Sequence, residues 1–187
     1  TCALPISALN IPFVFKASFK KANRSKLDSF STIGEEKALQ ILSDVKSRFG
    51  VQILTDVHET TDCDKVKDIA DIIQIPAFLC RQTELLIAAG WTGKTINIKK
   101  GQFVSAEMMQ FAVEKILSTG NKNILLTERG TLFGYNDLIV DFRNIPILKQ
   151  SGFPVIFDAT HSVQQPNKSD GISGGKPEFI ETLSKCA

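Results

Sequence analysis

Residues 95–126 read TINIKKGQFVSAEMMQFAVEKILSTGNKNILL. They open on Thr95-Ile96-Asn97-Ile98 and close on Ile124-Leu125-Leu126, short apolar, largely β-branched runs of the kind that form buried strands. Between them, Ser105 is placed to cap a helix over 105–117, and Gly120 lies just past its end. A strand, a helix and a second strand at this spacing predict two parallel strands joined by a right-handed crossover.

The same unit can be followed outward in both directions. Phe13-Val14-Phe15, Ile53-Leu54-Thr55, Ile72-Ile73-Gln74-Ile75 and Val155-Ile156-Phe157 are further strand candidates. Residues 35–49 place Leu39, Leu42, Val45 and Phe49 at helical spacing, with Gly50 as a stop. Shorter helices are predicted over 65–69, over 81–89 and from Pro177, a residue that suits a first helical position.

Alternating elements of this kind leave an open doubly wound sheet or a barrel. No glycine-rich phosphate loop follows the first strand, which favours the barrel. A complete (β/α)8 barrel has eight strands and typically about 250 residues. The prediction is therefore an α/β fold, a TIM-type (β/α)8 barrel that is incomplete, with about six β/α units. It forms a single truncated domain over 1–187, with 1–10 non-native or disordered. Residues 167–175, polar and rich in glycine, read as a mobile loop.

Composition narrows the function. The 187 residues are 43% hydrophobic and 22% charged, an ordinary globular balance. Lys plus Arg number 22 against 20 Asp plus Glu, a net charge of +2, which argues against a general nucleic-acid surface. No apolar run approaches the roughly 20 residues that span a bilayer, and Thr1 to Ser7 lack the basic start of a signal peptide. A cytoplasmic protein without nucleic-acid or membrane partners is expected. Cys2, Cys63, Cys80 and Cys186 form no CxxC pair, so reduced thiols are expected.

The chemistry gathers just beyond the strands, where α/β barrels build their sites. Lys16, Lys21, Asn23, Arg24 and Ser25 follow the first run, and Asp56 and His58 follow the second. Gln74 closes the third. Lys99 and Lys100 follow the fourth, Glu128 and Arg129 the fifth, and Asp158 and His161 the sixth. One lysine at a strand end is normally just solvated. Five or six cations on one rim repel each other unless anions sit among them. Phosphate and carboxylate groups fit, with arginine binding them bidentately and lysine as a point charge. The residues alone thus predict an enzyme acting on small phosphorylated, carboxylated molecules.

The stretch KASFKKANRS (16–25) resembles a signature of the 3-deoxy-D-manno-octulosonate 8-phosphate synthases, among the phosphoenolpyruvate-dependent aldolases. Further segments follow in that family's order: TDVHE (55–59), QIPAFLCRQT (74–83), NIKKGQF (97–103), TERG (127–130) with FGY (133–135), and FDATHSVQ (157–164). Together they cover the chain from about Ile11 onward. The related 3-deoxy-D-arabino-heptulosonate 7-phosphate synthases carry a Lys-Pro-Arg-Thr-type segment where this chain has Lys21-Ala22-Asn23-Arg24-Ser25. That reading is the alternative, together with an inactive fragment that binds sugar phosphates.

The resemblance implies condensation of phosphoenolpyruvate with D-arabinose 5-phosphate and water in lipopolysaccharide precursor synthesis. It assigns Lys16, Ser18, Lys21, Gln74, Lys99 and Arg129 to phosphoenolpyruvate. Asn23, Arg24, Ser25 and Arg81 go to the sugar phosphate, Arg81 reaching in from a neighbouring subunit of a homo-oligomer, a tetramer in the family. His161, Lys21 and Asp56 are implied as catalytic. His161 and its flanks are similar to the metal-dependent branch, so a divalent metal is expected in the complete enzyme. The partner ligands (a cysteine, a glutamate and an aspartate) are expected outside this chain, which alone should hold no cofactor.

Overall fold

Six strands of a computed structural model, which describes residues 9–24, 26–134, 137–166 and 173–187, form one continuous sheet. The order is β1 (Val14–Lys16), β2 (Gln52–Asp56), β3 (Ile72–Ile75), β4 (Thr95–Lys99), β5 (Ile124–Glu128) and β6 (Val155–Phe157), with every neighbouring pair parallel. This is an incomplete TIM-type α/β barrel. All six strands lie where the apolar runs predicted them, to within one or two residues at the ends.

Alternation along each strand separates two surfaces. Ile53, Ile73, Ile75, Ile96, Ile98, Ile124 and Leu126 are at most 2% exposed and belong to the hydrophobic core. Helices cover them: α1 (Glu35–Phe49), α2 (Thr60–Val66), α3 (Thr83–Trp91), α4 (Met109–Leu117) and α5 (Asn144–Lys149). Leu42, Val66, Leu86, Ile116 and Leu148 bring each helix into the same cluster. Each such fully buried side chain contributes roughly 1.5–3 kcal/mol. On the opposite surface the register sets Lys16 beside Leu54, Asp56 beside Gln74, Gln74 beside Asn97, and Lys99 beside Thr127. The site is built on that polar surface.

The helix ends differ from expectation more than the strands do. α1 runs as predicted, because Gly50 at φ +62° takes the left-handed C-cap and donates to the carbonyl of Lys46. The helix predicted over 105–117 begins only at Met109, so Ser105 does not cap it. The residues before it run in tight turns that bury Val104 and Ala106, and that packing overrides the local cap. The helix predicted over 65–69 is Thr60–Val66, started early by Asp62, whose carboxylate accepts from the Glu59 N–H at 3.1 Å. The helix predicted over 81–89 starts at Thr83, after a 3₁₀ turn over Ala77–Leu79. α5 carried no clear periodic signal in the sequence.

Two small antiparallel ribbons were also not predicted. One pairs Thr131–Leu132 with Leu138–Ile139, and the other pairs Gln164–Gln165 with Gly174–Gly175. The expected loop over 167–175 therefore ends in paired backbone, and its 167–172 part lies outside the described residues. So does the stretch expected to be non-native, apart from Leu9 and Asn10. Cys63, Cys80 and Cys186 are free thiols; Cys2 is outside the described residues. Among the described residues no helix is long and apolar enough to cross a membrane.

Candidate active site

A cavity of about 730 Å³ opens at the carboxyl ends of the strands. Lys16, Asp56, Gln74, Lys99, Arg129 and His161 all line it, with Ser18, Lys21 and Asn23 from the loop after β1. Their convergence follows from strand direction and register, since each is the inward residue at or just past a strand end.

Ser18 gathers the first group. Its Oγ accepts from Lys16 Nζ at 2.8 Å and from Lys21 Nζ at 3.1 Å. Lys16 Nζ is also 3.4 Å from Asp56 Oδ1, and His58 Nε2 is 3.2 Å from Asp56 Oδ2. Burial pushes the Asp56 carboxyl up, but His58, Lys16 and the Ser18 hydroxyl outweigh it and hold Asp56 well below the usual carboxylate range. Asp56 is therefore ionised and an acceptor only. The loop is pinned from below by Phe19, 1% exposed, and by Lys20, whose Nζ donates to buried Asp62 at 2.9 Å.

The second group spans β4 to β6. Lys99 Nζ donates to Asp158 Oδ2 at 2.6 Å, and the same oxygen is 2.7 Å from His161 Nδ1. Burial raises the Asp158 carboxyl, yet His161 and Lys99 hold it well below its ordinary value. An ionised Asp158 only accepts, so the His161 Nδ1 that meets it carries a proton. Burial draws the Lys99 ammonium below its ordinary range; Asp158 opposes this, and Arg129 and Lys16 add to it.

Arg129 is 4% exposed. Its Nη2 donates to Gln164 Oε1 at 3.0 Å, while Nε and Nη1 are buried without a partner among the described residues. Gly130 beside it takes φ +91°, a left-handed turn whose N–H donates to Glu128 Oε1 at 2.6 Å. Burial lowers the affinity of Arg129 for its proton, and Asp158 and Glu128 restore part of it. Leaving buried donors of a cation unmatched costs at least about 1–3 kcal/mol.

The cavity lining differs from the expected rim at two cations. Lys100 does not join the cavity: it is fully buried on the opposite surface, 3.7 Å from Glu128 Oε1, and donates to Thr131 Oγ1 at 3.1 Å. Lys99 and Lys100 are adjacent, and alternation sends them to opposite sides of the sheet. Arg24 turns back on its own loop, donating to the carbonyls of Leu27 at 2.9 Å and Ser29 at 2.6 Å. The lining cations among the described residues are thus Lys16, Lys21, Lys99 and Arg129, four where five or six were expected. Arg81 stands apart beside a separate hollow of about 210 Å³ with Met108, Phe111 and Lys115. Ser25 lies outside the described residues.

Some contributors had no assigned role in the sequence reading. Asp158 orients His161 and neutralises Lys99, Gln164 holds Arg129, and Gln102 presents a buried Oε1 with no partner among the described residues. Asp158 and Gln102 stand near strand ends, which is the one signal that marks them. Gln164 lies beyond the short helix α6 (Ala159–Ser162), and no spacing rule reaches it.

A divalent metal does not fit the residues present. Among the described residues no three His, Cys, Asp or Glu side chains come together to hold an ion. His161 offers Nε2 alone, because its Nδ1 is committed to Asp158.

The profile of the family described as "DAHP synthetase I family" matches residues 4–185. The chain is 53% identical over 179 residues to a protein of Granulibacter bethesdensis named 2-dehydro-3-deoxyphosphooctonate aldolase, covering 96% of this chain and 64% of that one. A protein of the same name from Koribacter versatilis is 55% identical over 183 residues, covering 96% and 66%. Another, from Brucella anthropi, is 52% identical over 179 residues, covering 96% and 65%. The chain therefore spans 64 to 66% of the length of these curated relatives.

Proposed function

We propose, since the chain belongs to the DAHP synthetase I family, that its cavity serves a transferase reaction joining phosphoenolpyruvate to D-arabinose 5-phosphate. The products are 3-deoxy-D-manno-octulosonate 8-phosphate and inorganic phosphate, for lipopolysaccharide precursor synthesis. The name shared by the relatives supports this reading, as does the order of motifs along the chain. The observation that carries it is Arg129, a buried guanidinium with two unmatched nitrogens in a cavity already holding three lysines.

In this reading Lys16, Lys21, Lys99 and Arg129 hold the phosphate and carboxylate of phosphoenolpyruvate, with Ser18 and Gln74 as neutral donors. Fixed cations offset the repulsion between two phosphorylated substrates and orient the reacting carbons. Asn23, Arg24 and Ser25 take the sugar phosphate, with Arg81 of a neighbouring copy in a homo-oligomer, a tetramer. The methylene carbon of phosphoenolpyruvate bonds to the aldehyde carbon. The oxygen of water adds at the carbon bearing the phosphate ester, and phosphate leaves. His161 Nε2 takes a proton from that water and the former aldehyde oxygen gains one in turn as it becomes a hydroxyl, while Asp56 accepts from substrate hydroxyls and Lys21 stabilises the charge developing on that oxygen. The protein works in the cytoplasm on small molecules, without nucleic-acid or membrane partners.

The test is phosphate release from phosphoenolpyruvate with either sugar. Release with arabinose 5-phosphate but not erythrose 4-phosphate is expected. Preference for erythrose 4-phosphate assigns heptulosonate synthesis instead, and binding without release with either sugar leaves a sugar-phosphate-binding protein.

A further inference from the structure

Two buried polar side chains have no place in the chemistry above. Asn97 is 3% exposed and Thr127 is 2% exposed, each at the middle or end of a strand whose other face is packed with isoleucine and leucine. Burying an amide and a hydroxyl costs free energy unless they are hydrogen-bonded. Here both are, and to each other. Thr127 Oγ1 donates to Asn97 Oδ1 at 2.6 Å, and Asn97 Nδ2 donates to Gln74 Oε1 at 3.1 Å. The chain of bonds crosses β5, β4 and β3 and ends at the cavity wall.

An amide at such a wall has two faces of opposite use. With Oε1 turned inward, Gln74 shows an acceptor that repels anions; with Nε2 turned inward, it shows a donor that binds them. Because Asn97 occupies Oε1, the atom left for the cavity is Nε2, which has no partner among the described residues. We propose that Asn97 and Thr127 are positioning residues, whose hydrogen-bond chain locks the Gln74 amide with its NH₂ toward the bound anion. The proposal rests on the anion-binding reading of the cavity and adds what sets the polarity of its neutral wall.

A double-mutant cycle tests it, with phosphoenolpyruvate and inorganic phosphate as calorimetric probes on the intact protein. Thr127→Val and Asn97→Leu are each expected to weaken phosphoenolpyruvate binding about threefold to tenfold, the loss of one oriented hydrogen bond. Thr127→Ser, which keeps the hydroxyl, is expected to bind as the unmodified protein does. In a Gln74→Ala background Thr127→Val is expected to add nothing. Equal loss with and without Gln74 overturns the proposal, as does no loss in either, because the effect then does not pass through that amide. If Thr127→Val does not fold, the Thr127→Ser and Asn97→Leu arms decide in the same way. If the unmodified protein binds neither probe, the anion-binding reading fails instead. The side-chain NH₂ resonances of Gln74 then decide the proposal: a shift in the folded variants supports the chain, and unchanged resonances overturn it.

Discussion

Lys99 Nζ and Asp158 Oδ2 lie 2.6 Å apart although 59 residues and an intervening strand separate them. β4 and β6 do not touch; β5 runs between them, and the pair closes over its end. Asp158 also fixes His161, so one carboxylate ties the charge balance of the cavity to the orientation of its histidine. Removing one partner of a well-buried pair typically costs about 3–5 kcal/mol. Asp158→Asn is expected to fall near the lower end, since the aspartate keeps some exposure. Urea unfolding of the ligand-free protein measures it.

The pH dependence follows from the same carboxylates. Asp56 and Asp158 have folded values held below the ordinary one, so their stabilisation is complete above the unfolded value near 3.9 and is lost as pH falls toward the folded values. The urea midpoint is expected to hold between about pH 5 and 7 and to drop below about pH 4.5. Asp158→Asn flattens that drop. A midpoint that rises on acidification contradicts the sign.

Arg129→Met should separate stability from binding. In the free protein the guanidinium is buried with two unmatched nitrogens, so replacing it with a similar apolar chain is expected to stabilise by about 1–3 kcal/mol. Phosphoenolpyruvate affinity is expected to fall roughly 10- to 150-fold. Thermal unfolding without ligand and calorimetry with it read the two effects. A variant that loses both stability and binding indicates a structural arginine.

Arg24 spends its hydrogen bonds on Leu27 and Ser29 in this structure, so the proposed sugar-phosphate role requires that it be redirected. Arg24→Ala is expected to raise the KM for arabinose 5-phosphate about 10- to 150-fold with a smaller change for phosphoenolpyruvate. Equal changes in both constants reassign it.

Metal analysis provides a separate check. With no three metal-ligating side chains brought together among the described residues, this chain dialysed against zinc or manganese is expected to retain less than one ion per chain. One tightly held ion per chain would point to Asp56 with His58, 3.2 Å apart, as an unrecognised pair of ligands.

What the sequence disclosed and what it hid divide along physical lines. The β3 run Ile72–Ile75 and the helix Glu35–Phe49 were readable to the residue, because hydrophobic period and a left-handed glycine are local properties. The rim residues from Lys16 to His161 were readable as a set, since strand ends in a parallel sheet all face one way. The start of α4 was not, because the burial of Val104 and Ala106 is decided by distant neighbours. The hydrogen bonds of Arg24 to its own loop were not readable for a related reason: a turn supplies carbonyls that no motif reveals.

The opposite facing of Lys99 and Lys100 limits how this chain can change over generations. Substitutions in β4 alter one surface at a time, but losing a single codon within it turns the strand inside out. Ile96 and Ile98 would then meet the polar, cation-lined cavity, and Asn97 and Lys99 the oily layer under the helices. Length in this strand therefore constrains the fold more strictly than residue identity does, because a replacement disturbs one surface and a deletion exchanges both.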